Sequence, residues 1–155
     1  MMSVLNTIKE EDIAYVDIRF TDPRGKLQHV TVIANEVDED FLEDGFMFDG
    51  SSIAGWKSID QSDMKLMPDC ASAYIDPFYA EKTLCLHCSV HEPDTGEHYD
   101  RDPRGTAEKA EAYLKSTGIG DVAYFGPEAE FFLFDDVRFA NSINKVSYEV
   151  DAMDA

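Results

Sequence analysis

The sequence predicts an α+β fold, a small mixed sheet covered on one face by helix. Three observations carry that prediction. Short runs rich in β-branched and aromatic residues, alternating apolar with polar, recur at 13–20, 27–34, 64–67, 73–75 and 83–90. Turn-forming residues separate these runs, and a single helical segment stands between the first two strands and the rest.

Val4 to Glu11 reads as a short leading helix with Ser3 or Asn6 as its cap, and Ile13 to Phe20 follows as an alternating strand. Asp22-Pro23-Arg24-Gly25 is a turn, since Pro fits its second position and Gly its last, and Leu27 to Ala34 returns as the partner strand of a hairpin. Asp38 to Asp44 is a helical segment, acidic at its start and closed by Gly45. Met64 to Met67, Ala73 to Ile75 and Thr83 to Val90 are further strands, punctuated by Pro68-Asp69 and Asp76-Pro77 and ended by a turn at Glu92 to Gly96. Asp102 then caps a helix with Pro103 in its first position, Ala107, Ala110 and Leu114 along one stripe, Glu111 and Lys115 as an i,i+4 pair, and Gly118 at its end. A strand is expected from Val122 to Asp135, and irregular or extended surface from Arg138 to Ala155.

With 44% hydrophobic and 12% aromatic residues the chain has material for a core. Its 32 acidic against 13 basic residues leave a formal charge of −19, which argues against nucleic acid or an anionic membrane as partner. No apolar run approaches a membrane span, and Lys9, Glu10, Glu11 and Asp12 break any signal-peptide pattern, so the expected location is cytoplasmic. Cys70, Cys85 and Cys88 are odd in number and lack framework spacing; in a strand, Cys85 and Cys88 face opposite sides, so reduced thiols are expected, with Cys88 buried beside Leu84, Leu86 and Val90. His87 and His91 then belong to the opposite, surface-facing side, and His29 and His98 carry no signal.

Two stretches bear on chemistry. In Tyr124-Phe125-Gly126-Pro127-Glu128-Ala129-Glu130-Phe131-Phe132-Leu133-Phe134-Asp135, read as a strand, Phe125, Pro127, Ala129, Phe131 and Leu133 form one apolar face, and Glu128 and Glu130 lie side by side on the other. Their Cα atoms are then roughly 7 Å apart. Such a pair is tolerable if it faces water, if one carboxyl holds a proton, if basic residues pair with it, or if a hard cation lies between the two. The spacing leaves all four open. In Phe46-Met47-Phe48-Asp49-Gly50-Ser51-Ser52-Ile53-Ala54-Gly55-Trp56, the centre is ordinary turn chemistry, but Phe48, Ile53 and Trp56 bracket it with apolar bulk. A carboxylate and two hydroxyls so flanked form either a simple turn or a small desolvated pocket that binds a cation through Asp49 with help from Ser51 or Ser52.

Together, Phe-Asp-Gly-Ser-Ser-Ile-x-Gly-Trp and the later Gly-Pro-Glu-x-Glu-Phe-Phe-Leu-Phe resemble the glutamine synthetase family, bacterial type, and the resemblance runs through essentially the whole chain. It implies a leading helix at 1–13, a β-grasp domain at 14–102, and at 103–155 the first helix and strand of a glutamine synthetase catalytic domain. Family members are several times longer, and these residues match their amino-terminal third, so the chain alone is expected to be inactive. The resemblance implies ATP-dependent ligation of ammonia to the γ-carboxylate of glutamate through γ-glutamyl phosphate. Glu128 and Glu130 match metal ligands for Mg²⁺ or Mn²⁺; Asp49 and Ser52 match residues that bind ammonium, with Asp49 removing its proton; Trp56 matches a residue near the nucleotide. It also implies a homo-oligomeric ring, a dodecamer, in which the Asp49 loop and the Glu128 strand of one chain serve two different sites. Two alternatives stay open: a relative that ligates glutamate to another amine, and a stand-alone β-grasp interaction module with solvated glutamates.

Overall fold

Val16, Ile18 and Phe20 point to one side of β1 (Tyr15–Thr21) and are buried, while Asp17 and Arg19 point to the other. This strand pairs antiparallel with β2 (Leu27–Ile33) and parallel with β6 (Thr83–His91), whose Leu84, Leu86, Cys88 and Val90 continue the buried face. The computed structural model describes residues 2–56 and 62–153, and the chain divides into two compact units, 1–122 and 123–155.

In the first unit, β4 (Asp63–Pro68) lies antiparallel to β6, and the edge strand β3 (Phe46–Asp49) pairs antiparallel with β4. The sheet therefore runs β2-β1-β6-β4-β3, with the two-residue β5 (Tyr74–Ile75) pairing Cys85 and Leu84 of β6. The expected mixed α+β sheet is present. Strand β3 is an addition to it, because four residues are too few for periodicity to reveal a strand beside the Asp49 turn. Val4, Leu5 and Ile8 of α1 (Met2–Glu10) and Leu42 of α2 (Glu39–Asp44) pack on the core. Asp38 caps α2 through the Phe41 N–H at 2.8 Å, and Gly45 closes it at φ +79°, a conformation that favours glycine. The helix α3 (Pro103–Thr117) begins at the Asp102 cap, carries the Glu111–Lys115 pair at 2.7 Å and ends at Gly118 in the left-handed region. No helix among the described residues is long and apolar enough to cross a membrane.

The cysteines are free, and Cys88 lies in the core as expected. Cys85 is equally buried on the opposite face, because Arg19, Tyr74 and Asp76 cover that side of the sheet. The same side of the sheet corrects the histidines: His87 and His91 are half-buried, His29 hydrogen-bonds Asp17, and His98 packs at a tilt against His91 with ring centroids 4.2 Å apart.

In the second unit, 123–134 forms no strand, contrary to the expectation from its alternation. Alternation fixes which side chains would share a face but supplies no neighbour, and a strand exists only through its ladder of hydrogen bonds to one. Its would-be apolar face is open, with Phe125 89% and Leu133 83% exposed. The tail expected to be irregular or extended surface is extended, as an antiparallel hairpin of β7 (Asp136–Ser142) and β8 (Lys145–Asp151) around Ile143-Asn144. Val137 faces Val150 and Phe139 faces Tyr148 on one side; Arg138, on the other, pairs with Asp136 at 2.8 Å and Glu149 at 3.2 Å.

Candidate functional site

Asp49 is the last residue of β3 and shares its outward face with Met47, so its carboxylate is exposed. The chain then turns through one short 3₁₀ turn, Gly50–Ser52, that Asp49 itself caps. Its Oδ1 accepts from the Ser51 N–H at 2.9 Å and from the Ser51 hydroxyl at 2.7 Å. The Ser51 hydroxyl, then its N–H, and the Ser62 hydroxyl hold the carboxyl below its ordinary range against a small opposing effect of burial. Of the two serines, Ser51 engages Asp49, while Ser52 faces solvent. Of the two readings of this stretch, the described residues show the turn: the edge strand points position 49 away from the core, and they form no desolvated pocket around its carboxylate. As built, this carboxylate is an anion at neutral pH, suited to holding a cation; it becomes a stronger base only when water is excluded around it.

The loop is anchored by packing. Gly50 is buried and its N–H donates to Ser62 O at 2.7 Å. A Cβ there would lie 2.4 Å from Met64 Sδ and 2.6 Å from its Cγ, so only glycine fits without moving the core. Trp56 is 5% exposed and sits among Phe20, Phe48 and Tyr99, with centroids 5.5, 6.0 and 5.6 Å away. Its indole N–H finds no acceptor among the described residues. Arg101 donates to Gly55 O and Trp56 O, a contact that no sequence pattern announces.

Glu128 and Glu130 lie in the second unit, both exposed, in the segment without a ladder. Two carboxylates have the right chemistry for a hard cation but fall short of the roughly six oxygen donors it takes. Among the described residues no three His, Cys, Asp or Glu side chains gather as a metal site. The structure thus brings Asp49, Ser51 and Trp56 together in one loop, and gives Glu128 and Glu130 separately.

The family model described as glutamine synthetase, beta-Grasp domain matches residues 12–93, and that described as glutamine synthetase, catalytic domain matches 100–155. The chain belongs to the glutamine synthetase family. Glutamine synthetase of Cereibacter sphaeroides is 76% identical over 148 residues, covering 96% of this chain and 32% of its own length. The Rhodobacter capsulatus protein of the same name is 74% identical over 148 residues, covering 96% of this chain and 34% of its own length. The chain spans about a third of these relatives. The cryo-EM structure of Plasmodium falciparum glutamine synthetase matches with TM-score 0.73 at 23% identity, over 97% of this chain and 29% of that one, a likeness of fold.

Proposed function

We propose that the complete protein carrying this sequence is a glutamate–ammonia ligase. The reading rests on family membership together with the Asp49 loop, an exposed carboxylate kept anionic by Ser51 and fixed by a buried glycine and tryptophan. Residues 14–102 serve as the β-grasp domain and 103–155 as the start of the catalytic domain.

The γ-carboxylate of glutamate attacks the terminal phosphorus of ATP, releasing ADP and leaving γ-glutamyl phosphate. Ammonium has no lone pair, so it must lose a proton before it can attack the acyl carbon and displace phosphate. Asp49 attracts ammonium by charge, Ser52 offers it a hydroxyl oxygen, and Asp49 takes the proton once neighbouring surfaces shut out water. Trp56 acts through its buried ring as the loop's anchor, with the nucleotide nearby in this reading. Glu128 and Glu130 would each contribute an oxygen to a divalent ion, Mg²⁺ or Mn²⁺, with the remaining donors coming from elsewhere. When bound, such ions neutralise the charge of the phosphates and stabilise phosphoryl transfer. The working form is a cytoplasmic homo-oligomeric ring, a dodecamer.

The test is Asp49→Ala in the complete protein, assayed with ammonium and with hydroxylamine, which is already a neutral nucleophile at pH 7. Turnover with ammonium should fall on the order of 100-fold or more, as for loss of a general base, while hydroxamate formation survives far better. Equal loss with both nucleophiles would make Asp49 structural.

A further inference from the structure

The stretch that follows Asp49 is also held from outside. Arg101 Nη1 donates to Gly55 O at 2.7 Å and to Trp56 O at 3.3 Å, carbonyls further along the loop begun by Asp49. The near end is fixed separately, by Ser51 on Asp49 and by the Gly50 N–H on Ser62 O. Arg101 projects from a rigid piece of backbone. On one side Tyr99 is buried, donates its N–H to Val90 O at 2.8 Å and packs its ring on Trp56. On the other, Asp102 is buried, donates its N–H to Tyr99 O at 3.0 Å, and accepts from the Val90 and Gly105 N–H groups at 3.0 and 3.1 Å. In a chain with 32 acidic residues, the guanidinium is directed, among the described residues, to two backbone carbonyls rather than to a carboxylate. A charged donor makes the stronger kind of hydrogen bond, and its planar group fixes direction as well as distance.

We propose that Arg101 is a positioning residue of the ammonium site, fixing the Gly55 and Trp56 carbonyls so that Asp49 and Ser52 keep their places; this rests on the function proposed above. In the complete protein, Arg101→Ala should raise KM for ammonium about tenfold, the range expected for loss of one charge-assisted hydrogen bond, and leave KM for ATP and for glutamate unchanged. Arg101→Lys, which keeps a charged donor but not the planar group, should fall between the two. Arg24→Ala, in the exposed turn after β1, should behave as the parent. A parallel rise in all three KM values, or no change for ammonium, would overturn the positioning role while the Asp49→Ala result still stands. Should Asp49→Ala itself fail to separate ammonium from hydroxylamine, the site assignment falls and Arg101's role falls with it.

Discussion

Asp17 is 1% exposed, and its oxygens receive Arg19 Nε at 2.7 Å, His29 Nδ1 at 2.8 Å and Thr31 Oγ1 at 2.7 Å. Burial pushes the carboxyl up, but the bonds from Arg19, Thr31 and His29 outweigh it and leave the pKa below its ordinary value. Arg19 is held above its own range: burial opposes the charge, and Asp17 and Asp76 more than restore it. A carboxyl lowered by folding stabilises the native state above its unfolded pKa of about 4, and that stability is lost as pH falls through the lower folded value. Asp17→Asn removes the charge but leaves Arg19 buried, so it should cost roughly 3 kcal/mol in urea denaturation at pH 7. The variant should also lose stability less steeply below pH ~4 than the parent, since the group that binds the proton is gone. An equally steep acid limb in Asp17→Asn would assign the acid sensitivity to other carboxyls. No sequence pattern marks this cluster, because Asp17 and Arg19 read as the wet side of a half-buried strand, and the residues that cover that side, Tyr74 and Asp76, lie 55 and 57 positions beyond Arg19.

At the scale of elements, the two capped helices differ in what their caps hold. Asp38 is exposed and, among the described residues, its side chain serves only the short α2, through one N–H. Asp102 is 1% exposed and accepts from Arg104, Gly105 and the β6 residue Val90, tying α3 to the sheet. Asp38→Ala should therefore cost about 1 kcal/mol, an ordinary cap. Asp102→Ala should cost roughly 2–4 kcal/mol, because it also leaves the Val90 N–H buried and unpaired. Equal midpoint shifts in urea would show that the Val90 bond adds nothing. Both helices are legible in the sequence: Asp102-Pro103 and Gly118 punctuate α3, and Asp38 and Gly45 punctuate α2, through local rules that need no tertiary contact. The hairpin of β7 and β8 is legible only as extended chain: Val137 and Phe139, then Val146, Tyr148 and Val150, alternate, but the turn residues Ile143-Asn144 include no glycine to announce the reversal. The strand expected at 122–134 fails for the opposite reason, a strong pattern without a partner. The Asp49 loop is legible as a turn, but its exposure is not, because that depends on β3 lying at the sheet edge.

Over the whole molecule, open aromatic surface is unevenly placed. The first unit closes a core around the six-stranded sheet, whereas the second leaves Phe125, Phe131, Phe132, Leu133, Phe139 and Tyr148 largely exposed, as are Glu128 and Glu130. Carboxylates surrounded by water bind a divalent ion weakly, because each must give up hydration for a ligand shell that two donors cannot complete. The 155-residue chain alone should thus show neither tight Mn²⁺ binding nor glutamine formation, as it spans about a third of the relatives it matches. In the complete protein the same two side chains should count for much more. Glu130→Ala should weaken Mn²⁺ binding on the order of 10–100-fold or more, at least the loss seen when only a ligand's supporting partner is removed. Calorimetric titration with Mn²⁺ decides it. An unchanged affinity would return Glu130 to the class of solvated surface carboxylates, and tight binding by the isolated chain would mean that its own residues complete a site in solution.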